Sequence, residues 1–291
     1  MTRTVGFVGL GIMGSAMTGH LLQDGWRVFG CDVDALRAAE HEERGGTLVA
    51  SAANVAREVD LLVTSLPSAG ALCAVLNALA EGARPGLVVV ETSTLGLDTK
   101  LAARDTAAAY GAVLLDCPMS GTGQQARDRD VIAYLSGDDE AAKAVALPVL
   151  QGFTRAQYDL GAFGNGTRMK LVANLLVAVH NAAAAEALLL AERAGLDLQE
   201  VLQAVGDGAG GSRMLSVRGP LMAAGRYDEP TATVGVMQKD NALIAAFAAE
   251  VASPTPLFSA TSVLYQEALA QGRLDQDTAC VFGVLQGLAG Q

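Results

Sequence analysis

Short apolar runs alternate with helix-like stretches in the first 160 residues of the 291-residue chain. The runs are rich in Val and Leu and are bounded by Gly, Pro, Ser or Asp. Such continuous apolar runs are typical of strands buried on both faces of a parallel sheet. The six runs read TVGFVGL, RVFGCDV, DLLVTSLP, GLVVVETS, AVLLDCP and DVIAYLSG. The alternation predicts an α/β fold that begins with a doubly wound Rossmann sheet.

The pattern changes near residue 163, where the strand signals stop. Beyond this point we predict only helices, separated by breaks rich in Gly, Pro and Asp. The predicted helices cover residues 166–194, 197–207, 212–224, 233–251, 256–271 and about 275–288. The sequence therefore predicts two domains, a Rossmann domain at 1–162 and an all-α domain at 163–291.

A glycine-rich turn joins the first predicted strand to the first predicted helix. Gly9, Gly11 and Gly14 have the spacing G-x-G-x-x-G. In this position the glycines allow a tight turn, a close approach of a pyrophosphate to the backbone, and close packing of helix on strand. N–H groups at the helix start can bind the phosphates. The candidate cofactor loop comprises Gly9, Leu10, Gly11, Ile12, Met13 and Gly14.

Asp32 ends the second predicted strand, where its carboxylate can accept hydrogen bonds from the adenosine ribose of a dinucleotide. The same charge would repel a 2′-phosphate, so the sequence favours NAD, with NADP possible because Arg37 lies one turn further on. The alternative is that Asp32 only starts a turn and caps the next helix, which Asp34 could do equally well.

Two further strand ends supply candidate walls for the cofactor. Leu66 and Pro67 follow the third run, and Thr94 follows the fourth. Ligands of open α/β sheets lie beyond the carboxyl ends of the strands. We expect these residues to line the site.

The long apolar helix from residue 166 carries three polar residues on one narrow face. With Lys170 at zero, Asn174 lies at about 40° and Asn181 at about 20° around the helix. We expect this stripe to face the cleft, with Lys170 as general acid and base and Asn174 orienting the reacting oxygen. Burial disfavours the ammonium form and so favours proton exchange. The alternative is a lysine that extends its charge to solvent at the helix start.

Four segments in order carry a resemblance to a known family: GLGIMGSAM, DCPMSGTGQQA, GNGTRMKLVANLL and MQKDNALI. The chain resembles the β-hydroxyacid dehydrogenases, which include 3-hydroxyisobutyrate dehydrogenase, tartronate semialdehyde reductase and 6-phosphogluconate dehydrogenase. The resemblance covers nearly the whole chain. It implies hydride transfer between NAD(P) and a small 3-hydroxy acid or its semialdehyde, in a homodimer or homotetramer.

The resemblance also implies roles for particular residues. Lys170 matches the catalytic lysine and Asn174 an asparagine that holds the substrate. Ser120 and Gly121 match the loop that binds the substrate carboxylate, and Lys239 matches a lysine that closes the site near the nicotinamide. Thr122 departs from the Ser-Gly-Gly of many members and would add bulk and a hydroxyl beside the carboxylate.

Charge and cysteine content narrow the partners. The net charge of −11, with no two consecutive Lys or Arg, argues against nucleic-acid and anionic-membrane surfaces. A small anionic hydroxy acid or aldehyde acid stays possible as a substrate, because a few local cations decide its binding.

The four cysteines lack metal or disulfide spacing, so we expect no metal. The N-terminus enters a strand without a hydrophobic leader, which favours the cytoplasm.

Three alternatives compete with the dehydrogenase. An imine reductase resembles this fold and length but usually lacks a lysine at position 170. A decarboxylating sugar-phosphate dehydrogenase is longer and needs a phosphate-binding cluster of cations. A non-catalytic nucleotide-binding module would have no reason to keep Lys170, Asn174 and Ser120 together.

Overall fold

The computed structural model describes residues 3–290, and the chain divides into two compact units, with the boundary in the sequence between Lys170 and Leu171. The first unit contains a six-stranded parallel sheet in the order β3-β2-β1-β4-β5-β6. Its strands are β1 (Thr4–Val8), β2 (Arg27–Cys31), β3 (Thr47–Leu48), β4 (Leu61–Thr64), β5 (Val88–Glu91) and β6 (Val113–Asp116). The strand order reverses between β1 and β4, which is where a doubly wound sheet binds its ligand.

Helices connect these strands and cover both faces of the sheet with apolar side chains. They are α1 (Ile12–Gln23), α2 (Ala35–Glu43), α3 (Ala52–Glu58), α4 (Ala69–Leu79), α5 (Leu97–Ala109), α6 (Gly123–Arg127) and α7 (Glu140–Gln151). Polar residues fix several of the helix starts, because their side-chain oxygens accept hydrogen bonds from first-turn N–H groups. Such caps in this unit are Asp34, Ser51, Ser68, Thr122 and Asp139.

A second, three-stranded sheet corrects part of the sequence interpretation. The run DVIAYLSG forms β8 (Ile132–Leu135), which we expected in the large parallel sheet. Instead it lies between β7 (Met119–Ser120), which is antiparallel to it, and β9 (Ala156–Asp159), which is parallel. The side chains of β8 alternate between half-buried and buried, which is the pattern of a strand covered on one face.

The secondary-structure elements assigned among the described residues of the second unit are all helices. Its elements are α8 (Asn165–Arg193), α9 (Leu198–Asp207), α10 (Arg213–Ala224), α11 (Val234–Glu250), α12 (Pro256–Ala270), a 3₁₀ turn (Thr278–Cys280) and α13 (Val281–Ala289). The boundary between the units falls inside α8. A Rossmann sheet followed by a helical domain is therefore confirmed.

Helix α8 is the one described helix that is long and apolar enough to cross a membrane by length and composition. Its buried face includes Ala178, Ala185 and Leu188, which pack in an apolar cluster with residues of the other helices of the second unit. Helix α8 therefore packs as a core helix, whose apolar side chains are buried against other parts of the protein.

Candidate active site

The glycine loop lies between β1 and α1, and its three glycines have different surroundings. Gly9 has a φ of +93°, and a Cβ there would overlap the carbonyl oxygen of Ser65 at the end of β4. A Cβ on Gly14 would overlap the carbonyl oxygen of Gly9. At Gly11 a Cβ would meet no protein atom within 4 Å, so packing does not require a glycine there. The loop thus has the geometry that fits a dinucleotide pyrophosphate.

Asp32 connects the end of β2 to this loop. Its Oδ2 accepts a hydrogen bond of 2.5 Å from the backbone N–H of Leu10, and its Oδ1 accepts one of 2.8 Å from the N–H of Asp34. Asp34, by contrast, caps α2 by accepting from the N–H of Leu36. The two acidic residues therefore have separate tasks, and Asp32 fixes the glycine loop from the neighbouring strand.

The loops after β4 and β5 are joined to each other. The backbone N–H of Leu66 donates a hydrogen bond of 2.8 Å to the Ser93 hydroxyl. Pro67 is exposed and Thr94 is half-buried. Because β1, β2, β4 and β5 are parallel, the loops that follow them lie along one edge of the sheet.

The Ser-Gly-Thr segment (residues 120–122) follows β6 and begins at the last residue of the short strand β7. Ser120 is half-buried, and Gly121 has a φ of +144° with Val131 Cγ1 only 2.7 Å from the position of a Cβ. Thr122 begins α6 with a capping box: its hydroxyl accepts from the N–H of Gln125, and the Gln125 side chain accepts from the N–H of Thr122. The extra hydroxyl of Thr122 is thus bound within the protein by the helix start.

Lys170 lies in the second turn of α8 and is 8% exposed. The first turn of this helix is anchored by polar groups of the first unit. The N–H of Thr167 donates to Asp116 Oδ2 at 2.7 Å, and the Thr167 hydroxyl donates to Asp116 Oδ1 at 2.8 Å. The N–H of Gly166 donates to the Ser136 hydroxyl at 2.9 Å. The backbone that carries Lys170 is therefore held in place by the ends of β6 and β8.

Asn174 is also buried and is bound to α11 of the second unit. Its Nδ2 donates a hydrogen bond of 2.8 Å to Asp240 Oδ2. The Lys239 ammonium lies 3.4 Å from Asp240 Oδ1, and the Lys239 side chain is 43% exposed. This arrangement joins an amide, a buried carboxylate and a more exposed cation.

Two models of protein families together match nearly all of the chain. The NAD binding domain of 6-phosphogluconate dehydrogenase matches residues 4–161, and the model described as NAD-binding of NADP-dependent 3-hydroxyisobutyrate dehydrogenase matches residues 164–285. The chain belongs to the β-hydroxyacid dehydrogenase family. It is an NAD(P)-dependent oxidoreductase that acts on hydroxy acids, and the resemblance seen in the sequence is confirmed.

Individual family members are similar over almost their full length. L-threonate dehydrogenase of Cupriavidus necator is 31% identical, over 99% of this chain and 98% of that enzyme. The chloroplastic glyoxylate/succinic semialdehyde reductase 2 of Arabidopsis thaliana is 31% identical over 98% of this chain and 80% of its own length. The structure of Mycobacterium tuberculosis 3-hydroxyisobutyrate dehydrogenase with L-serine is 27% identical, with a TM-score of 0.88 over 98% of this chain and 99% of that one.

Asn181 does not belong with the other polar residues of this dehydrogenase helix, contrary to our expectation. It is fully buried, and its Nδ2 donates to the Tyr265 hydroxyl and to the Thr278 carbonyl, both at 2.9 Å. Tyr265 in turn donates to the Ala178 carbonyl at 3.3 Å. The polar stripe is therefore divided, since Asn181 stabilises the helical core.

The sequence does not point to Asp240 and Asp116, the acidic partners of Asn174 and Thr167. Asp240 stands beside Lys239 in the segment MQKDNALI, and Asp116 ends the run AVLLDCP. A carboxylate within an apolar stretch is a signal for a buried partner. The identity of that partner, Asn174 or Thr167, depends on tertiary structure and is not visible in the sequence.

The cysteines beside the site are poor nucleophiles. Burial, with a smaller contribution from the charge of Asp32, raises the pKa of Cys31 to about 11. Burial also raises the pKa of Cys117, and Asp116 adds to this shift while Lys100 opposes it. Both thiols therefore remain protonated at neutral pH.

Proposed function

We propose that this dehydrogenase interconverts a small, carboxylate-bearing 3-hydroxy acid and its aldehyde or keto form, with Lys170 as the general acid and base. The observation that carries the proposal is the placement of Lys170. It is a buried amine on an anchored helix, one turn before Asn174, whose amide is itself held by Asp240.

The chain's own residues divide the chemistry between them. Lys170 Nζ takes the hydroxyl proton as the alcohol is oxidised and returns it to the oxygen on reduction. Asn174 orients the reacting oxygen, because its fixed amide presents the same geometry to each substrate molecule. The bound nicotinamide supplies the hydride acceptor or donor.

Ser120 and Gly121 are proposed to bind the substrate carboxylate. A hydroxyl and backbone N–H groups are suitable donors for an anion, and the open backbone of Gly121 allows a close approach. Lys239 is proposed to add a positive charge near the nicotinamide, as the family resemblance implies. The relatives named for L-threonate and for glyoxylate or succinic semialdehyde act on small carboxylates, which supports this substrate class.

The cofactor is proposed to lie along the loop from Gly9 through Leu10, Gly11, Ile12 and Met13 to Gly14, with Leu66, Pro67 and Thr94 as walls. Asp32 is proposed to accept hydrogen bonds from the adenosine ribose. Each carboxylate oxygen accepts one backbone N–H and retains further lone-pair capacity, so a ribose contact is compatible with its present bonds. We therefore propose a preference for NAD.

The test of the catalytic assignment compares Lys170→Ala with wild type, using NADH absorbance and a panel of short 3-hydroxy acids and semialdehydes. We expect kcat to fall by about 10²- to 10⁴-fold while NADH affinity stays within twofold. Arg168→Ala, which removes an exposed cation from the same helix, is the control and should keep its activity. Wild-type turnover in Lys170→Ala would refute the assignment.

The cofactor preference is tested with Asp32→Ser. We expect kcat/KM with NADP to rise relative to NAD by about tenfold or more, because a repelling charge is removed. Asp34→Ser removes a nearby charge and still provides a hydroxyl to cap α2, so it should leave the ratio unchanged. An equal change in both variants would mean that Asp32 does not contact the ribose.

For the organisation of the protein we propose that residues 1–162 bind the cofactor and residues 163–291 bind substrate and mediate assembly. Exposed apolar side chains on the helices, among them Val172, Leu176 and Leu190, support a homodimer or homotetramer. We also propose a cytoplasmic enzyme without nucleic-acid or membrane partners. Light scattering coupled to size exclusion decides the assembly, and a monomer would contradict this part of the proposal.

A further inference from the structure

The first unit buries a cluster of charges that the proposed chemistry does not use. Lys100 of α5, Glu91 at the end of β5 and Asp116 at the end of β6 are each fully buried. Glu91 and Asp116 are register partners on adjacent parallel strands, so two carboxylates lie side by side. The Lys100 ammonium bonds Glu91 Oε2 and lies 3.2 Å from Asp116 Oδ1.

A purely stabilising purpose is a poor explanation for such a cluster. Removing charges from water costs so much that apolar replacements of buried ion pairs are often equally stable or more stable. The cluster therefore needs a second benefit. Its connections to the surrounding backbone indicate what that benefit is.

On one side the cluster binds the start of α8. Asp116 accepts both donors of Thr167, and Ser136, which donates to the Asp116 carbonyl at 3.1 Å, accepts from Gly166. First-turn N–H groups have no partner within their own helix, and a negative charge at a helix N-terminus is favourable. The packing here is close, since a Cβ on Gly166 would come within 2.9 Å of the Asp116 carbonyl oxygen.

On the other side the cluster binds the loops at the proposed cofactor wall. Glu91 Oε1 accepts a hydrogen bond of 3.0 Å from the N–H of Ser93. The Ser93 hydroxyl accepts from the N–H of Leu66. One ammonium thus lies between two carboxylates, of which one holds a cofactor loop and the other holds the helix of Lys170.

We propose that Lys100 is a positioning residue for catalysis, because its charge lets Glu91 and Asp116 both act as acceptors in one buried place. Lys100 thereby fixes the first turn of α8, three residues before Lys170, relative to the loop at Leu66. Small errors in the placement of a reacting group cost large factors in rate, so this anchoring affects kcat. The inference rests on the proposed role of Lys170.

The main test is a charge-balance experiment with Lys100→Met and Lys100→Met/Glu91→Gln. The single variant leaves two buried carboxylates without a cation, and we expect kcat to fall about 100-fold with KM changed less than threefold. The double variant restores the single net negative charge of the wild-type cluster. We expect its kcat to be at least tenfold higher than that of Lys100→Met. A double variant no more active than Lys100→Met would overturn the proposal.

Lys143→Met is the matched control. Lys143 is a second buried lysine of the first unit with two carboxylate partners, Glu140 and Asp159, but both of these are largely solvent-exposed. Loss of this amine leaves two hydrated carboxylates, so we expect kcat within threefold of wild type. An equal loss of kcat in Lys100→Met and Lys143→Met would mean that any buried lysine has this effect, and the proposal would fail.

A readout independent of turnover separates this inference from the proposed function. Hydrogen exchange in a peptide covering residues 164–171 should accelerate at least tenfold in Lys100→Met and remain unchanged in Lys143→Met. Unchanged exchange in Lys100→Met would overturn the positioning role even if Lys170 is catalytic. Conversely, if Lys170→Ala stays active while exchange in Lys100→Met is accelerated, only the catalytic assignment of Lys170 is refuted, and the positioning role of Lys100 stands.

If Lys100→Met does not fold, Thr167→Val supplies the same test with every charge in place. The change removes only the hydroxyl that donates to Asp116 Oδ1. We expect kcat about tenfold lower, faster exchange at 164–171 and an unchanged affinity for NADH. Wild-type kcat and exchange in this variant would contradict the proposal.

Discussion

Asn174 and Asn181 lie on nearly the same face of α8, yet the two ends of that face differ in their partners. Asn174 donates to the charged Asp240, whereas Asn181 donates to the neutral Tyr265 hydroxyl and the Thr278 carbonyl. The periodicity of a helix determines the direction of a side chain about the axis. The element opposite determines its function, and here this is α11 for one asparagine and α12 with the 3₁₀ turn for the other.

The charge of the partner separates a structural polar residue from a candidate catalytic one. The partners of Asn181 are neutral, so its hydrogen bonds fix the packing of helices without adding charge. The partner of Asn174 is a carboxylate next to the ammonium of Lys239. A charged cluster that a protein keeps within a helical unit is costly, which is typical of functional sites.

The same substitution to alanine at the two positions should change different properties, and the largest effect is expected for Asn174→Ala. We expect kcat to fall about 100-fold, because the reacting oxygen loses an oriented donor. The free energy of unfolding should fall less than in Asn181→Ala, since Lys239 still lies near the Asp240 carboxylate. Steady-state kinetics with NADH titration measures the first effect. A kcat within threefold of wild type would remove Asn174 from the proposed site.

Asn181→Ala should have the opposite signature. The Tyr265 hydroxyl and the Thr278 carbonyl would lose their donor in a fully buried place, and we expect the free energy of unfolding to fall by about 2 kcal/mol. Because Asn181 has no proposed contact with substrate, kcat at 25 °C should stay within threefold. Denaturant titration measures the stability. A large loss of kcat without a loss of stability would reassign Asn181 to the active site.

Tyr265→Phe removes the hydroxyl that Asn181 contacts and leaves Asn174 and its partners unchanged. It removes one acceptor for Asn181 and one donor to Ala178, so we expect a loss of about 1 kcal/mol at neutral pH. Nothing in this contact involves the proposed chemistry. Wild-type kcat with reduced stability is the expected result.

The same variant also predicts a pH dependence. Burial raises the pKa of Tyr265 to about 12, and an unfolded tyrosine ionises near pH 10. The neutral phenol therefore stabilises the fold fully below pH 10, and this contribution is lost as the pH rises from 10 to 12, by about 1.4 kcal/mol per pH unit. The stability advantage of wild type over Tyr265→Phe, about 1 kcal/mol at neutral pH, should therefore vanish and change sign between pH 10 and pH 11.5. A constant difference would contradict the buried, neutral phenol.

The sequence predicted most elements of the fold because long patterns leave strong signals. The helices expected at 197–207 and 256–271 begin and end within one residue of α9 and α12. The strands β3 and β7 have two residues each, which is too short for any periodicity to show. Because β7 is an edge strand of the three-stranded sheet, the sequence does not predict that sheet. The burial of Lys170 was anticipated, but its anchoring was not.

The Lys100 cluster shows why the sequence does not predict the anchoring of Lys170. Its members, Glu91, Lys100, Asp116 and Thr167, are separated by up to 51 residues from their partners, and only the pairing of β5 with β6 brings the carboxylates together. The sequence does contain a hint, since the runs GLVVVETS and AVLLDCP each carry an acidic residue directly after their Val or Leu positions. The sequence does not give the order of the strands in the sheet, because strands that are adjacent in the chain need not be neighbours in the sheet. It therefore does not predict that the two carboxylates lie side by side.

The backbone at Gly121 has a consequence for redesigning substrate choice. Any L-residue there would be strained at a φ of +144° and pressed against Val131, so mutational libraries at this position should yield mostly damaged protein. The neighbouring Thr122 is more permissive, because serine or asparagine could begin α6 in its place. Libraries that seek activity on new hydroxy acids should therefore vary position 122 and keep Gly121, which the conformation of the loop requires.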